Sequence, residues 1–182
     1  MTDSTSGESG HHDHERAAAD VGALGFAIIT LSDTRTQATD KSGALLREAV
    51  KEAGHRVARS EIVSDDPEAI QAALDAALDD PDVGVVITTG GTGISSRDSA
   101  YETITSRFDK RLDGFGELFR MLSYEEIGAA AMLSRAVGGI ARGRVLFALP
   151  GSTAAVRLGI QQLILPQVGH LHHELTRHAP PS

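Results

Sequence analysis

Short apolar runs alternate with stretches of helical period along most of this chain. Residues 26–31, Phe-Ala-Ile-Ile-Thr-Leu, form the continuous apolar run that a strand buried on both faces needs. Over 42–53 the apolar positions Leu45, Leu46, Ala49 and Val50 share one helical face, and Gly54 ends that helix. Residues 56–63 alternate weakly and predict a second strand. Asp66, Pro67 and Glu68 read as an N-cap, a first-turn proline and an early acid, opening a helix with the stripe Ile70, Ala73, Leu74, Ala77 and Leu78. A third strand is predicted over 83–89 and a helix over 99–108. This βαβαβ succession favours a parallel sheet with helices on both faces.

In the second half, Gly114-Phe115-Gly116-Glu117-Leu118-Phe119-Arg120 precedes Ser123 and Glu126, whose capping-box spacing predicts a new helix start. Gly138-Gly139 and Arg142-Gly143 read as turns around a short strand. Residues 145–149 make a buried strand that ends in Pro150-Gly151-Ser152, and 153–177 are helical with a break near Pro166. Residues 1–22 are rich in Ser, Gly, His and acids and read as a disordered polar tail, in which His11, His12 and His14 are solvated. Residues 23–182 are expected to form one domain.

Composition narrows the classes. A net charge of -8 over 182 residues argues against broad binding to nucleic acid or a membrane surface, both of which want a basic face. The absence of cysteine excludes disulfides, thiolate catalysis and Cys-ligated metals. No apolar run approaches the roughly 18 residues of a membrane span, so the expected location is the cytoplasm.

Candidate chemistry gathers where strands end. In an open parallel sheet, ligands bind outside the carboxyl ends of the strands, and four polar segments leave such ends: Ser32-Asp33-Thr34-Arg35, Ser64-Asp65-Asp66, residues 90–98, and Pro150-Gly151-Ser152. The backbone amides of Gly90, Gly91 and Gly93, with the Arg97 guanidinium, suit phosphate oxygens. Asp65 and Asp98 supply the hard oxygens that Mg²⁺ accepts. Together they suit phosphoryl or nucleotidyl transfer. Each has a plainer alternative: Asp65 or Asp66 caps the helix that follows, Asp98 caps the next one, and Arg97 makes a surface ion pair. Phe115, Leu118 and Phe119 read as packing residues, and Glu117 and Arg120 as an i, i+3 pair. His170, His172, His173 and His178 read as solvated or interface residues.

The segments Thr88-Thr89-Gly90-Gly91-Thr92-Gly93 with Arg97-Asp98, Gly114 to Arg120, Leu122-Ser123-Tyr124-Glu125-Glu126-Ile127-Gly128, Ser134-Arg135-Ala136 and Leu149-Pro150-Gly151-Ser152 occur in an order that closely resembles the MoaB/MogA family of molybdenum cofactor biosynthesis proteins, the MoaB branch above all. The resemblance runs over residues 25–178. It implies a three-layer α/β/α molybdopterin-binding fold with a mostly parallel sheet, and transfer of AMP from MgATP to the terminal phosphate of molybdopterin with release of pyrophosphate. It places the family's acids on Asp65 and Asp98, as catalytic residues and metal ligands. It puts Ser32, Asp33, Asp40, Lys41, Ser42, Thr89, Thr92 and Ser152 near the same pocket. It further implies a homo-oligomer, trimer or hexamer, and a partner that inserts molybdate. A non-catalytic molybdopterin-binding or carrier protein, and an interaction module of a cofactor-assembly complex, remain the alternative readings.

Overall fold

The computed structural model describes residues 22–95 and 98–177. Residues 1–21 of the expected tail, Arg97 and His178 lie outside the described residues. Strands β1 (Gly25–Leu31), β2 (Arg56–Val63), β3 (Val85–Thr89), β4 (Lys110–Arg111), β5 (Val137–Ala141) and β6 (Arg144–Leu149) form one sheet in the order β2-β1-β3-β6-β5-β4. The first four positions in that order run parallel, while β5 is antiparallel to both β6 and β4. The chain adds β2 on one side of β1 and β3 on the other, which puts a topological switch point at the carboxyl ends of β1 and β3.

Alternation along the central strands assigns each face its own core. Phe26 and Ile28 of β1, Val85 and Ile87 of β3, and Val145, Phe147 and Leu149 of β6 pack on one side. There they meet α1 (Lys41–Glu52), α4 (Asp113–Ile127), α5 (Thr153–Leu158), the π-helical segment Gly159–Ile164 and α6 (Leu165–Thr176). Ala27, Ile29, Leu31, Val86, Leu146 and Ala148 point to the other side, onto α2 (Pro67–Leu78) and α3 (Ala100–Thr105). The result is the three-layer α/β/α arrangement expected, with three central strands that read as unbroken apolar runs because both faces are covered.

Three elements differ from the sequence reading. Ser123 and Glu126 lie inside α4, not at a helix start; Ser123 is buried and the helix runs through it. Gly138 and Gly139 lie within β5, because a Cβ on either would press on the ring of Phe147 or Phe108. Arg142-Gly143 is the turn expected, a two-residue link with both residues at positive φ, which is the I′ geometry of a tight hairpin. The last helical stretch is interrupted by the π segment ahead of Pro166, which stands in the first turn of α6.

His172 on α6 is half-buried near Gly84, its Nδ1 closed off without a partner, and burial, then Arg144, lowers its pKa. His55 is lowered by burial as well; its Nδ1 accepts from the Leu24 N–H at 3.2 Å and its ring centroid lies 5.3 Å from that of Phe26. A histidine with a lowered folded pKa contributes stability above its unfolded value of 6.5 and loses it as pH falls through that value. These two histidines should therefore each take stability away between pH 7 and pH 5, and the fall in melting temperature over that range should be smaller in His172→Gln than in the native chain. Calorimetry at the two pH values checks both.

Candidate functional site

A cavity of about 550 Å³ opens at the switch point, within the usual range for small-molecule sites. Its polar wall comes from three strand ends: Ser32, Thr34 and Arg35 after β1, Gly90 to Gly93 after β3, and Pro150 to Ser152 after β6. Its other wall is largely apolar and comes from α4 and the 3₁₀ segment Gly128–Leu133, through Phe119, Ile127, Ala130 and Leu133, with Ser123 and Ser134 as hydroxyls.

Local hydrogen bonds fix the polar wall. The Ser32 hydroxyl accepts from the N–H groups of Thr34 and Arg35 at 3.3 and 3.1 Å, shaping the first loop. Ser42 Oγ and Arg35 Nη2 both donate to the Gly151 carbonyl, at 2.9 and 3.0 Å, and so tie the first and third loops together. Thr89 donates to the Pro150 carbonyl at 3.1 Å. Ser152 caps α5, accepting from the Ala155 N–H at 3.2 Å.

The glycine loop departs from the expectation at one point. The Gly90 N–H donates to the Leu149 carbonyl at 3.1 Å, continuing the β3–β6 ladder, so this amide is spent on the sheet and is not available to a phosphate. Gly91 and Gly93 serve the two acids. A Cβ on Gly91 would collide with Asp65 Oδ1 and with Ala100, and one on Gly93 with the Asp98 carboxylate. Both carboxylates therefore pack against glycines that line the cavity, without lining it themselves.

The capping alternatives separate cleanly. Asp66 caps α2, accepting from the Ala69 N–H at 3.1 Å. Asp65 is left over: its own N–H donates to Asp33 at 3.1 Å, and its buried Oδ1 has no hydrogen-bond partner. Burial, then the Asp98 and Asp33 carboxylates, raise its pKa above the ordinary value. Asp98 does not cap α3; its Oδ2 accepts from the Ser95 N–H at 2.8 Å and its N–H donates back to the Ser95 carbonyl at 2.9 Å.

Asp40 and Lys41 stand elsewhere. Asp40 is buried, accepts from the Gly43 N–H and the Thr30 hydroxyl, both at 2.9 Å, and faces Arg35 and Arg47 at 3.8 Å. That is a helix cap and a buried anchor. Lys41 is exposed beside a separate depression on α1. Asp40→Ala should cost about 2–4 kcal/mol, combining a lost cap with an unpaired Thr30 hydroxyl, whereas Asp40→Asn should cost about 1 kcal/mol; urea unfolding measures both.

The residues missed at the sequence level are Arg35, Ser134 and Arg135. All three stand in quoted motifs, but their partners are distant in sequence, so no local pattern gave them roles. Arg135 donates to the carbonyls of Thr92 at 3.0 Å and Gly93, and reaches that of Asp98 at 3.4 Å.

Residues 27–170 match a family described as a probable molybdopterin binding domain. The chain belongs to this family. Among relatives of the molybdopterin-binding family, molybdenum cofactor biosynthesis protein B of Bacillus cereus is 56% identical over 151 residues, 82% of this chain and 89% of that protein. The Bacillus subtilis protein of the same name is 45% identical over 166 residues, 91% of this chain and 96% of its own. A crystal structure of a molybdenum cofactor biosynthesis protein B superposes with a TM-score of 0.84 at 54% identity, covering 86% of this chain and 98% of that one. The tungsten cofactor synthesizing protein MoaB from Pyrococcus furiosus superposes with a TM-score of 0.77 at 40% identity, covering 84% and 97%. Among the described residues no helix is long and apolar enough to cross a membrane.

Proposed function

We propose that this protein acts in molybdenum cofactor biosynthesis as a Mg²⁺-dependent adenylyltransferase: a terminal phosphate oxygen of molybdopterin bonds to the α-phosphorus of ATP, and the bond from that phosphorus to the leaving pyrophosphate breaks. The observation that carries the reading is Asp65, a carboxylate with a partnerless buried oxygen, crowded by Asp98 and Asp33 beside a glycine loop at the switch point. Such crowding is costly for an anion and is relieved by a cation. Among the described residues no group of three or more His, Cys, Asp or Glu could hold a metal by itself. Two carboxylates completed by substrate phosphates are what Mg²⁺ commonly accepts, so Asp65 and Asp98 fit it. When bound, the ion neutralises charge developing on the phosphates.

The chain's own groups do the rest. The three loops hold the phosphates, and the apolar flank of Ile127 and Leu133 takes the ring of the ligand. Little covalent help is needed in such transfers, where positioning and charge stabilisation dominate. One observation favours the second reading, molybdopterin binding without turnover: Asp98 already satisfies its own turn at Ser95, which is a complete local role. Pyrophosphate release from ATP separates the two. Release that requires both molybdopterin and Mg²⁺ supports transfer; molybdopterin binding without release supports the carrier.

A further inference from the structure

We infer that Arg135 is a positioning residue that holds the glycine loop in its working shape. Its guanidinium meets the loop at the carbonyls of Thr92, Gly93 and Asp98. The other side of the group is fixed in turn. Nη1 pairs with Glu102, and Cζ lies over the Tyr101 ring, 4.6 Å from its centroid. Glu102 is held below the ordinary glutamate range, first by that hydrogen bond. Only a rigid planar fork can satisfy several carbonyls, a carboxylate and a ring face at once; a lysine ammonium cannot.

Two consequences follow from the geometry. In a trans peptide the carbonyl and the next N–H point in opposite directions. Drawing the Thr92 and Gly93 carbonyls onto Arg135 therefore turns the N–H groups of Gly93 and Ile94 away from the guanidinium, as a pair of donors of the kind that anions accept. The third carbonyl belongs to Asp98 itself, so the same clamp sets where that carboxylate stands. Arg135 also follows Leu133 and Ser134, which line the cavity, so the apolar wall and the glycine loop are joined through one side chain. The kinetic consequence of this role rests on the adenylylation reading; the structural consequence does not.

The test compares the native chain with Arg135→Lys, which keeps the charge and loses the fork, and with Glu102→Gln, which loosens the guanidinium at an exposed carboxylate without touching the loop. Amide exchange by NMR is read at Ser95 and Asp98, whose N–H groups are hydrogen-bonded to each other's residue. Arg135→Lys should exchange at least tenfold faster at these two amides with the β-strand amides unchanged, and Glu102→Gln should show a smaller change in the same direction. In the transfer assay Arg135→Lys should lower kcat at least tenfold while KM for ATP moves less than threefold. Unchanged loop exchange in both variants, or full kcat in Arg135→Lys, overturns the inference. If the native chain does not turn over, adenylylation is what fails, and the exchange arm alone decides for or against Arg135.

Discussion

Asp65→Asn should fold at least as stably as the native chain and lose adenylyl transfer by about 100-fold or more, the usual scale for removing one group that stabilises charge in a transition state. The two effects have one cause. In the native state the Asp65 carboxyl is pushed above its ordinary range by burial, Asp98 and Asp33, whereas in the unfolded chain it ionises freely. A group with a raised folded pKa stabilises the fold below its unfolded value and loses that contribution as pH rises through the folded value. At neutral pH the ionised carboxylate is therefore a burden, moderated by its partial exposure, and an amide removes it. A rise in melting temperature of about 1–3 °C is expected, the size of a stability gain below roughly 1 kcal/mol in a chain of this length. Thermal unfolding with the transfer assay on the same sample checks the pair. A clear fall in melting temperature with activity retained would mean that Asp65 serves the fold.

Gly91→Ala should be damaging, costing about 2–4 kcal/mol. Gly91 sits at φ +61°, where an L side chain costs roughly 1–2 kcal/mol in conformation. Its Cβ would also run into Asp65 and Ala100, a packing insult of about 1–3 kcal/mol. Gly54 gives the internal control: it too has positive φ, +81°, but nothing lies within 4 Å of its would-be Cβ. Gly54→Ala should therefore lose only the conformational part, and the difference between the two variants in urea unfolding reports the packing against Asp65 and Ala100. Gly91→Ala should also abolish turnover, since the carboxylate has to move. Equal destabilisation in the two variants would refute the packing argument.

Legibility in the sequence followed covering and locality. Strands β1 and β6 are buried on both faces, so their apolar runs stand out, and β2 was read to its observed bounds. The Asp66-Pro67 start of α2 was readable because a cap is made within four residues. Gly138 and Gly139 misled because they are glycines for the sake of Phe147 and Phe108, rings far away in sequence or on another strand. Ser123 misled for the same reason: a capping pattern says nothing of a helix already running from Asp113. In the site, convergence of loops on the cavity was legible from strand order alone. The split between Asp65 and Asp66 was not, nor was the clamp by Arg135, whose partners lie 33 to 43 residues away.

The most direct measurement is transfer of label from ATP carrying a radioactive α-phosphate to molybdopterin, resolved by chromatography, for the native protein, Asp65→Asn and Asp98→Asn with Mg²⁺ present. Labelled adenylyl-molybdopterin from the native protein, lost in both variants while they still fold and bind molybdopterin, is the predicted result. Bound molybdopterin that never acquires label from the native protein would contradict adenylylation and leave the binding role in its place.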